Sequence, residues 1–345
     1  MEQGGSVESS FPAPPTYIWK GGEGGADYPV DNYEGESFGG SLNLVDATRL
    51  SVNTVYAQAA KAVGPPRLVE RAAALGITSP LAPDASLVLG TAQVSPLEMA
   101  SAYSTLARGG TRIPPRLLGK VTDADGGSVE GSKQDGPSRA VSEDTAAVVT
   151  EVLRRVVDKG TGTAARLDRP AAGKTGTTNK NADAWFVGYT ASPRLTTAVW
   201  MGWSADGSRP MDRVRGRPVS GGGIPAQIWE KFMAAATKGA PPGDFDEPPP
   251  LSAGDLLQGS GRVRAAPAGD LSPSPALSSG PAATTARAAG GGSTTSSSRS
   301  GPGSTSTSAV PGPAATTALA RPTSTTRREA TTTTRPNRVV GQAPP

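Results

Sequence analysis

Phe245 is the last aromatic residue of this 345-residue chain, and this break in composition limits how much of the chain can fold. The residues after it are mainly proline, serine, threonine, alanine and glycine with scattered arginine, as in GGGSTTSSSRSGPGSTSTSAVPGPAATT. Such a segment buries too little apolar surface to offset its loss of conformational entropy on folding. We therefore predict a folded domain over residues 1–242 and a disordered tail over residues 243–345.

The charge of the chain is concentrated in that tail. From Leu251 onwards there are 9 arginines and 3 acidic residues, so the first 250 residues carry about −2 although the whole chain carries +4. The folded part is therefore not a basic nucleic-acid-binding surface. The sequence has no run of 18 apolar residues and therefore predicts no transmembrane helix. The N-terminus MEQGGSVESS lacks the basic and apolar regions of a signal peptide.

The absence of cysteine and histidine limits the chemistry of the chain. It excludes a disulfide framework, a thiolate nucleophile, a zinc site built on these residues and a Ser-His-Asp triad. A nucleophilic mechanism would need another base, and lysine is the leading candidate. The sequence implies no metal ion and no organic cofactor.

Apolar periodicity and capping signals predict an α+β fold, with helices packed on an antiparallel sheet. Residues 11–40 are rich in proline and glycine and predict a loop. In the third helix below, Ser95 and Glu98 form a capping box, and Ser142 caps the fourth. The predicted helices are 41–64, 65–77, 95–110, 142–160 and 221–239, and the predicted strands are 171–177, 184–190 and 195–203.

The tripeptide Lys174-Thr175-Gly176 has two interpretations. A phosphate-binding loop would need a glycine at position 168, which is Asp168, and a helix after the lysine, where the sequence predicts a strand. The alternative is a strand at the edge of an active site, where the lysine and the threonine hydroxyls hold a carboxylate. We favour the strand.

An active site of this kind needs a partner motif, and Ser-x-Asn occurs twice, at Ser41–Asn43 and at Ser51–Asn53. A helix cap explains Ser41 well. Ser51 and Asn53 lie within the predicted first helix, so capping explains them less easily.

At this point the sequence resembles the transpeptidase domain of class A, bifunctional penicillin-binding proteins, and the likeness covers about residues 1–240. Five blocks occur in the same order: LSVNTVYAQ, LVLGTAQVSPLEMASAYSTLARGG, GTGTAARLDRPAAGKTGTTNKNADAWFVGYT, TTAVWMGW and GGGIPAQIWEKFM. Serine β-lactamases and carboxypeptidases share the short motifs, but the long tail and the SPLEMASAYSTLARGG block favour the bifunctional family. The Ala-, Gly-, Arg- and Pro-rich composition suggests an actinobacterial source.

The resemblance implies a penicillin-binding, serine-transpeptidase fold and a D,D-transpeptidase that cross-links peptidoglycan stem peptides through an acyl-enzyme. Its implied partners are D-Ala-D-Ala stem peptides and β-lactams, with no nucleic acid. It also implies a location at the extracytoplasmic face of the membrane or in the cell wall, with the full-length form anchored in the membrane.

The resemblance also assigns roles to residues of the two motifs. Ser51 would relay a proton to the leaving amine, Asn53 would hydrogen-bond the peptide carbonyl of the substrate, and Lys174 would tune this site electrostatically. The implied substrate-binding residues are Thr175, Gly176, Thr177 and Thr178. Thr177 would bind the terminal carboxylate, and its N–H would form half of an oxyanion hole. Thr175 would face the domain interior, and we read Asp183 and Trp185 as structural residues.

One motif of the family, the Ser-x-x-Lys that supplies the nucleophile, is not found. None of the nine lysines has a serine three residues before it. In the family this motif begins a helix that ends in a sequence like ALEQGG, and this chain begins MEQGG. We therefore expect an N-terminal truncation, and we expect this chain to be inactive alone. The alternative is a non-catalytic relative that binds peptidoglycan or acts as a scaffold in the cell wall.

Overall fold

Six α-helices and nine strands form the part of the chain that this computed structural model describes, namely residues 1–118, 122–125, 127, 136–203, 207 and 209–257. The helices are α1 (Leu44–Leu50), α2 (Asn53–Val63), α3 (Pro65–Leu75), α4 (Pro96–Ala107), α5 (Glu143–Lys159) and α6 (Ile224–Ala236). The strands are β1 (Ser10–Pro12), β2 (Thr16–Glu23), β3 (Ala26–Asp31), β4 (Ser41–Asn43), β5 (Thr111–Arg112), β6 (Ser138–Arg139), β7 (Ala171–Thr177), β8 (Ala184–Thr190) and β9 (Thr196–Met201).

The antiparallel sheet β7–β8–β9 lies between two layers of helices. On one face Ala172 and Tyr189 pack with Leu153 of α5, and α4 covers β8 and β9. On the other face Phe186 packs edge-on against Trp229 of α6, and both side chains are buried. The α+β class predicted from the sequence is therefore confirmed.

Several predicted elements are confirmed with their ends. The predicted strands 171–177 and 184–190 coincide with β7 and β8. The side chain of Ser95 accepts a hydrogen bond from the N–H of Glu98, and the Glu98 carboxylate accepts one from the N–H of Ser95, so the capping box at the start of α4 is present. Ser142 caps α5 as predicted. The two capping signals succeed because each acts within four residues of the chain.

The prediction of a loop over residues 11–40 is wrong, because this segment contains a β-hairpin. Strands β2 and β3 pair in antiparallel register around Gly24 and Gly25, whose φ angles are 56° and 86°. Two consecutive positive φ angles define the turn that matches the twist of a two-residue hairpin. Trp19 and Val30 of the hairpin are buried against α2, and their burial outweighs the low strand propensity of the neighbouring glycines and proline.

The prediction of one continuous helix over residues 41–64 is also wrong. The first three residues form β4, and the helix breaks at Ser51 and Val52 into α1 and α2. Ser51 has the left-handed conformation, with φ 61° and ψ 46°, and Val52 is buried as the N-cap of α2. The apolar stripe continues through the break because both helices bury residues in the same core cluster, which hides the interruption from a periodicity argument.

Contacts with the folded domain continue past residue 242. Phe245 packs edge-on against Tyr189 with ring centroids 5.6 Å apart, and the N–H of Asp255 donates to the carbonyl of Gly4 at 2.6 Å. Residues 243–257 of the predicted tail thus lie along the domain, held by apolar side chains that the tail composition obscures. The remainder of that prediction, residues 258–345, lies outside the described residues. Within the described residues, no helix has the length and apolar character needed to cross a membrane.

Candidate active site

The α1–α2 junction places the hydroxyl of Ser51 at the sheet. The N–H of Ser51 closes the end of α1 on the carbonyl of Thr48, and the N–H of Val52 bonds the carbonyl of Ala47 at 2.9 Å. Glycine is the usual residue at a left-handed helix end, because a Cβ is strained there. A serine held in this conformation by its surroundings is the kind of local strain that is concentrated at functional sites.

Lys174 of β7 meets Ser51 across 123 residues of sequence. Its Nζ donates to Ser51 Oγ at 2.8 Å and to the carbonyl oxygen of Thr175 at 3.1 Å. Burial of the ammonium group lowers the pKa of Lys174 to about 8. Among the described residues no carboxylate lies within ion-pair distance of this lysine, so the serine hydroxyl and one carbonyl are its polar contacts.

Asn53, the third residue of the Ser-x-Asn motif, begins α2 beside the hairpin. Its Nδ2 donates to the carbonyl oxygen of Asp31 at 2.9 Å. The neighbouring Asn32 accepts the N–H of Thr54 at 3.1 Å, so the end of β3 and the start of α2 are bonded together. A side-chain amide has two donor hydrogens. Donation to Asp31 uses one of them, and the predicted bond to a substrate carbonyl would use the other.

The other residues of the Lys-Thr-Gly strand point in two directions. Successive side chains of a strand lie on opposite faces, so Thr175 and Thr177 face away from the side on which Lys174 reaches Ser51. The Thr175 hydroxyl shares a 2.7 Å hydrogen bond with the hydroxyl of Thr161. Thr177 Oγ1 accepts the N–H of Gly221 at 3.0 Å.

Thr178 ends the strand rather than lining the face of Lys174. Its Oγ1 accepts the N–H of Asp183 at 2.8 Å, which closes the turn between β7 and β8. Asp183 in turn accepts the indole N–H of Trp200 at 2.8 Å. The structure thus brings Ser51 and Lys174 into contact and places Asn53 next to them. The substrate-binding roles of Thr175, Gly176, Thr177 and Thr178 stay predictions.

Sequence reasoning missed the loop that covers β7, which consists of residues 220–223. A Cβ added at Gly221 would overlap the carbonyl oxygen of Trp185 and lie 2.5 Å from that of Gly176. Only glycine can approach the strand backbone this closely. The run of three glycines at 221–223 was the available signal, but we read it only as the start of a helix.

A second missed contact joins the two sides of the site. The Tyr33 hydroxyl donates to Asn181 Oδ1 at 3.1 Å, linking the turn after β3 to the turn between β7 and β8. Both residues lie in turns that contain non-glycine residues with positive φ, Glu34 in one and Lys180 and Asn181 in the other. No sequence pattern pairs these turns, because they are 148 residues apart.

The chemistry, rather than the depth of a cavity, identifies this site. Two surface hollows of about 450 and 380 Å³ lie elsewhere, one lined by residues 79–93 and the other by α4 with residues 113–116. Neither includes Ser51 or Lys174. Among the described residues no group of acidic, histidine or cysteine side chains is arranged to hold a metal ion.

Comparison with known proteins gives the family that this arrangement resembles. The profile of the penicillin binding protein transpeptidase domain matches residues 15–213, more than half of the chain. Penicillin-binding protein 1A of Aquifex aeolicus is 34% identical over 226 residues, covering 65% of this chain and 30% of the relative. Penicillin-binding protein 1A of Mycobacterium tuberculosis is 33% identical over 242 residues, covering 64% of this chain and 29% of the relative.

A solved structure shares the fold. The PonA1 protein of Mycobacterium tuberculosis, in complex with penicillin V, aligns with a TM-score of 0.63 and 30% identity, covering 73% of this chain and 70% of that one. This chain spans only about 30% of the length of the two curated relatives. The likeness therefore concerns one domain, and it does not extend to the whole relatives.

Proposed function

This chain belongs to the family of penicillin binding protein transpeptidase domains, and we propose that its folded part is the D,D-transpeptidase site of a peptidoglycan-synthesising protein. The substrate is the D-Ala-D-Ala end of a stem peptide, and β-lactams bind at the same place. The site acts at the extracytoplasmic face of the membrane or in the cell wall, where such peptides occur. Membrane anchoring of the full-length form is part of the same proposal.

The 2.8 Å hydrogen bond from Lys174 Nζ to Ser51 Oγ is the observation that supports this proposal. Acyl transfer from a peptide expels an amine, and this amine must receive a proton as the C–N bond breaks. A serine hydroxyl that is bonded to a lysine can pass on a proton and be resupplied. Ser51 is the proton donor to the leaving amine in this scheme, and Lys174 supplies the proton to Ser51.

Binding of the peptide uses the groups around this pair. The free amide hydrogen of Asn53 donates to a peptide carbonyl of the substrate. The ammonium of Lys174 attracts the terminal carboxylate, and the N–H of Thr177 is one donor of the oxyanion hole. One such donor is worth about 3–4 kcal/mol of transition-state stabilisation in serine acyl-transfer enzymes.

The sequence contains no Ser-x-x-Lys, because no lysine has a serine three residues before it. In our proposal the described residues provide proton relay and substrate binding, and penicillin acylation needs a nucleophile from a Ser-x-x-Lys segment. The alternative function is a non-catalytic domain that binds peptidoglycan as a scaffold, which needs no such segment. Both functions require the D-Ala-D-Ala site, and only the first requires acylation.

Intact-mass analysis after exposure to a penicillin separates these two functions. The measurement uses this chain and a second form in which a Ser-x-x-Lys segment of the family precedes Met1. A penicilloyl adduct on the serine of the added segment, absent from the original chain, is the expected result. If neither form gains an adduct although both are folded by circular dichroism, the transpeptidase assignment fails and the scaffold function is left.

Binding without chemistry is tested on this chain alone. The affinity for a peptide ending in D-Ala-D-Ala is measured by isothermal titration calorimetry. It should be about tenfold or more lower in Lys174→Met than in the original chain, because a charge-assisted hydrogen bond is worth roughly 1.5–3 kcal/mol. Lys238→Met removes an exposed lysine outside the site and is the matched control. Equal binding by both variants would refute the carboxylate-binding role of Lys174.

A further inference from the structure

The contact between Ser51 and Lys174 has the geometry of a nucleophile–base pair. A hydroxyl nucleophile is recognised by a base within about 2.6–3.2 Å, and Lys174 Nζ lies 2.8 Å from Ser51 Oγ. Serine–lysine pairs replace the Ser-His-Asp triad on unrelated folds. Ser51 is half-buried, so part of the residue is exposed to solvent.

The surroundings of Lys174 suit a base. An amine acts as a base only when it is neutral, and a carboxylate partner would hold it in the charged form. Its polar contacts come from the α1–α2 junction, through Ser51 Oγ, and from its own strand, through the carbonyl of Thr175. Burial alone lowers its pKa to about 8. A substantial fraction of Lys174 is therefore neutral slightly above neutral pH, unlike an ordinary surface lysine.

The start of α2 supplies positive electrostatic potential beside Ser51. Val52, the N-cap of this 11-residue helix, has no side chain that can accept the first N–H groups. Among the described residues the N–H of Asn53 has no acceptor, whereas that of Thr54 bonds Asn32. Unsatisfied N–H groups at a helix N-terminus stabilise negative charge within the first turn. The N–H groups at the start of α2 therefore favour negative charge that develops near Ser51 during attack on a carbonyl group, whereas the carbonyl end of the shorter helix α1, which also ends at Ser51, acts in the opposite direction.

We propose that Ser51 and Lys174 act together as a nucleophile and its base, and that Ser51 is acylated by small activated esters. This goes beyond the proposed transpeptidase function, in which Ser51 only relays a proton and the acyl group is carried elsewhere. The ligand class is a small ester with a good leaving group, which requires neither a terminal carboxylate nor a peptide.

The step balances without any further reactant. Neutral Lys174 takes the hydroxyl proton of Ser51 while Oγ forms a bond to the carbonyl carbon of the ester. The bond between that carbon and the leaving oxygen breaks, and p-nitrophenolate departs with the electron pair when the reagent is p-nitrophenyl acetate. The product is an acetyl ester on Ser51, and the lysine then releases its proton to solvent.

The test is acetylation of this chain by p-nitrophenyl acetate, followed by tryptic mapping. Cleavage after Arg49 and Lys61 isolates residues 50–61, in which Ser51 is the single serine, and fragment-ion masses distinguish an acetyl group on Ser51 from one on Thr54 or Tyr56. We expect a mass increase of one acetyl group on this peptide, and its removal by hydroxylamine, which cleaves esters but leaves acetylated lysines intact. The labelling rate should rise to a plateau with a midpoint near pH 8, following the pKa of Lys174.

Four variants make the result specific. Ser51→Ala should abolish the label, and Lys174→Arg, which keeps the charge but cannot act as a base near pH 8, should slow it about a hundredfold. Ser10→Ala and Lys238→Met remove a serine and a lysine outside the site and should not change it. Circular dichroism of each variant checks its fold, and the fragment-ion assignment of the acetyl group to Ser51 is made on the unmodified chain.

An unlabelled Ser51 peptide in the folded chain, or labelling that is unchanged in folded Lys174→Arg, would overturn this inference. The outcome is separable from that of the proposed function, because p-nitrophenyl acetate has no carboxylate or peptide for the substrate site to recognise. Penicillin and D-Ala-D-Ala peptides test the substrate site, and the ester tests only the pair of side chains.

Discussion

Replacing Ser51 by glycine should leave the domain more stable than replacing it by alanine. Both changes delete the hydroxyl and its bond to Lys174, so the loss of this contact cancels in the comparison. The remaining difference is the backbone conformation, with φ 61° and ψ 46° at this position. A Cβ in this region costs about 1–2 kcal/mol, which glycine avoids.

Glycine recovers only part of that strain energy, because it also makes the unfolded chain more flexible. This entropic effect stabilises the unfolded state by about 0.5–1 kcal/mol relative to alanine. We therefore expect Ser51→Gly to exceed Ser51→Ala by about 1 kcal/mol in free energy of unfolding. That difference is roughly a fivefold change in the ratio of folded to unfolded protein.

Urea denaturation followed by circular dichroism measures this difference, provided that both variants show the same dependence on urea concentration. The matched control is Ala73→Gly at an exposed position of α3, where the backbone is helical. There glycine should destabilise by about 0.5–1 kcal/mol, the opposite sign. If Ser51→Ala were as stable as Ser51→Gly, the left-handed strain at Ser51 would be refuted, and with it our reason why the hydroxyl points at Lys174.

Three further predictions concern other groups. Burial lowers the pKa of Lys174 from 10.5 to about 8 in the folded state. The unfolded chain therefore binds more protons between these two pH values, and the free energy of unfolding, measured relative to that of Lys174→Met, should rise from pH 8 to pH 10. The carboxylate of Glu98 accepts six hydrogen bonds that hold its pKa far below its usual range, and the largest contribution comes from a backbone N–H. Glu98→Gln should lower the free energy of unfolding, measured by urea denaturation, by about 1–2 kcal/mol at pH 7. This loss of stability should become smaller as the pH falls below 4.5. Gly221→Ala forces a Cβ onto the carbonyl of Trp185 and should destabilise by about 1–3 kcal/mol, whereas Gly136→Ala, where the Cβ would meet nothing, should leave the melting temperature unchanged.

The elements that could be predicted from the sequence are those specified by local signals. The capping box of Ser95 and Glu98 and the cap at Ser142 are decided within one helical turn, and both are present. Strands β7 (AAGKTGT) and β8 (AWFVGYT) were predicted to the residue as short runs bounded by polar or proline-containing segments. Local propensity and tertiary packing agree in these elements.

The errors arose where backbone conformation depends on a contact far away in sequence. Ser51 adopts the left-handed conformation, which is unfavourable for serine, and no residue close to it in the sequence predicts this conformation. In the candidate site, both motifs could be named from the sequence, but the 2.8 Å distance between Lys174 Nζ and Ser51 Oγ depends on packing that neither motif specifies. The hairpin at Gly24 and Gly25 is different, because its pair of glycines was a usable turn signal that the surrounding proline and glycine obscured.

The distance between Ser51 and Lys174 is set by α5, which lies between the two segments that carry them. Val45 of α1 packs on α5, and Leu153 on α5 packs on β7. Arg49 of α1, which is only 5% exposed, binds the end of α5. Its guanidinium donates to the carbonyl of Lys159 at 3.2 Å, and its backbone carbonyl accepts the N–H of Thr161 at 3.2 Å.

These bonds fix the last turn of α1 two residues before Ser51. The chain then runs from Thr161 back to the sheet, where its hydroxyl bonds that of Thr175, the residue next to Lys174. One short path of bonded groups therefore joins the backbone on both sides of the pair. The guanidinium of Arg49 touches neither Ser51 nor Lys174 in any described hydrogen bond, yet it holds the frame on which a 2.8 Å contact depends. Geometry of this kind is distributed over α1, α5 and β7, which explains why no motif in the sequence could have specified it.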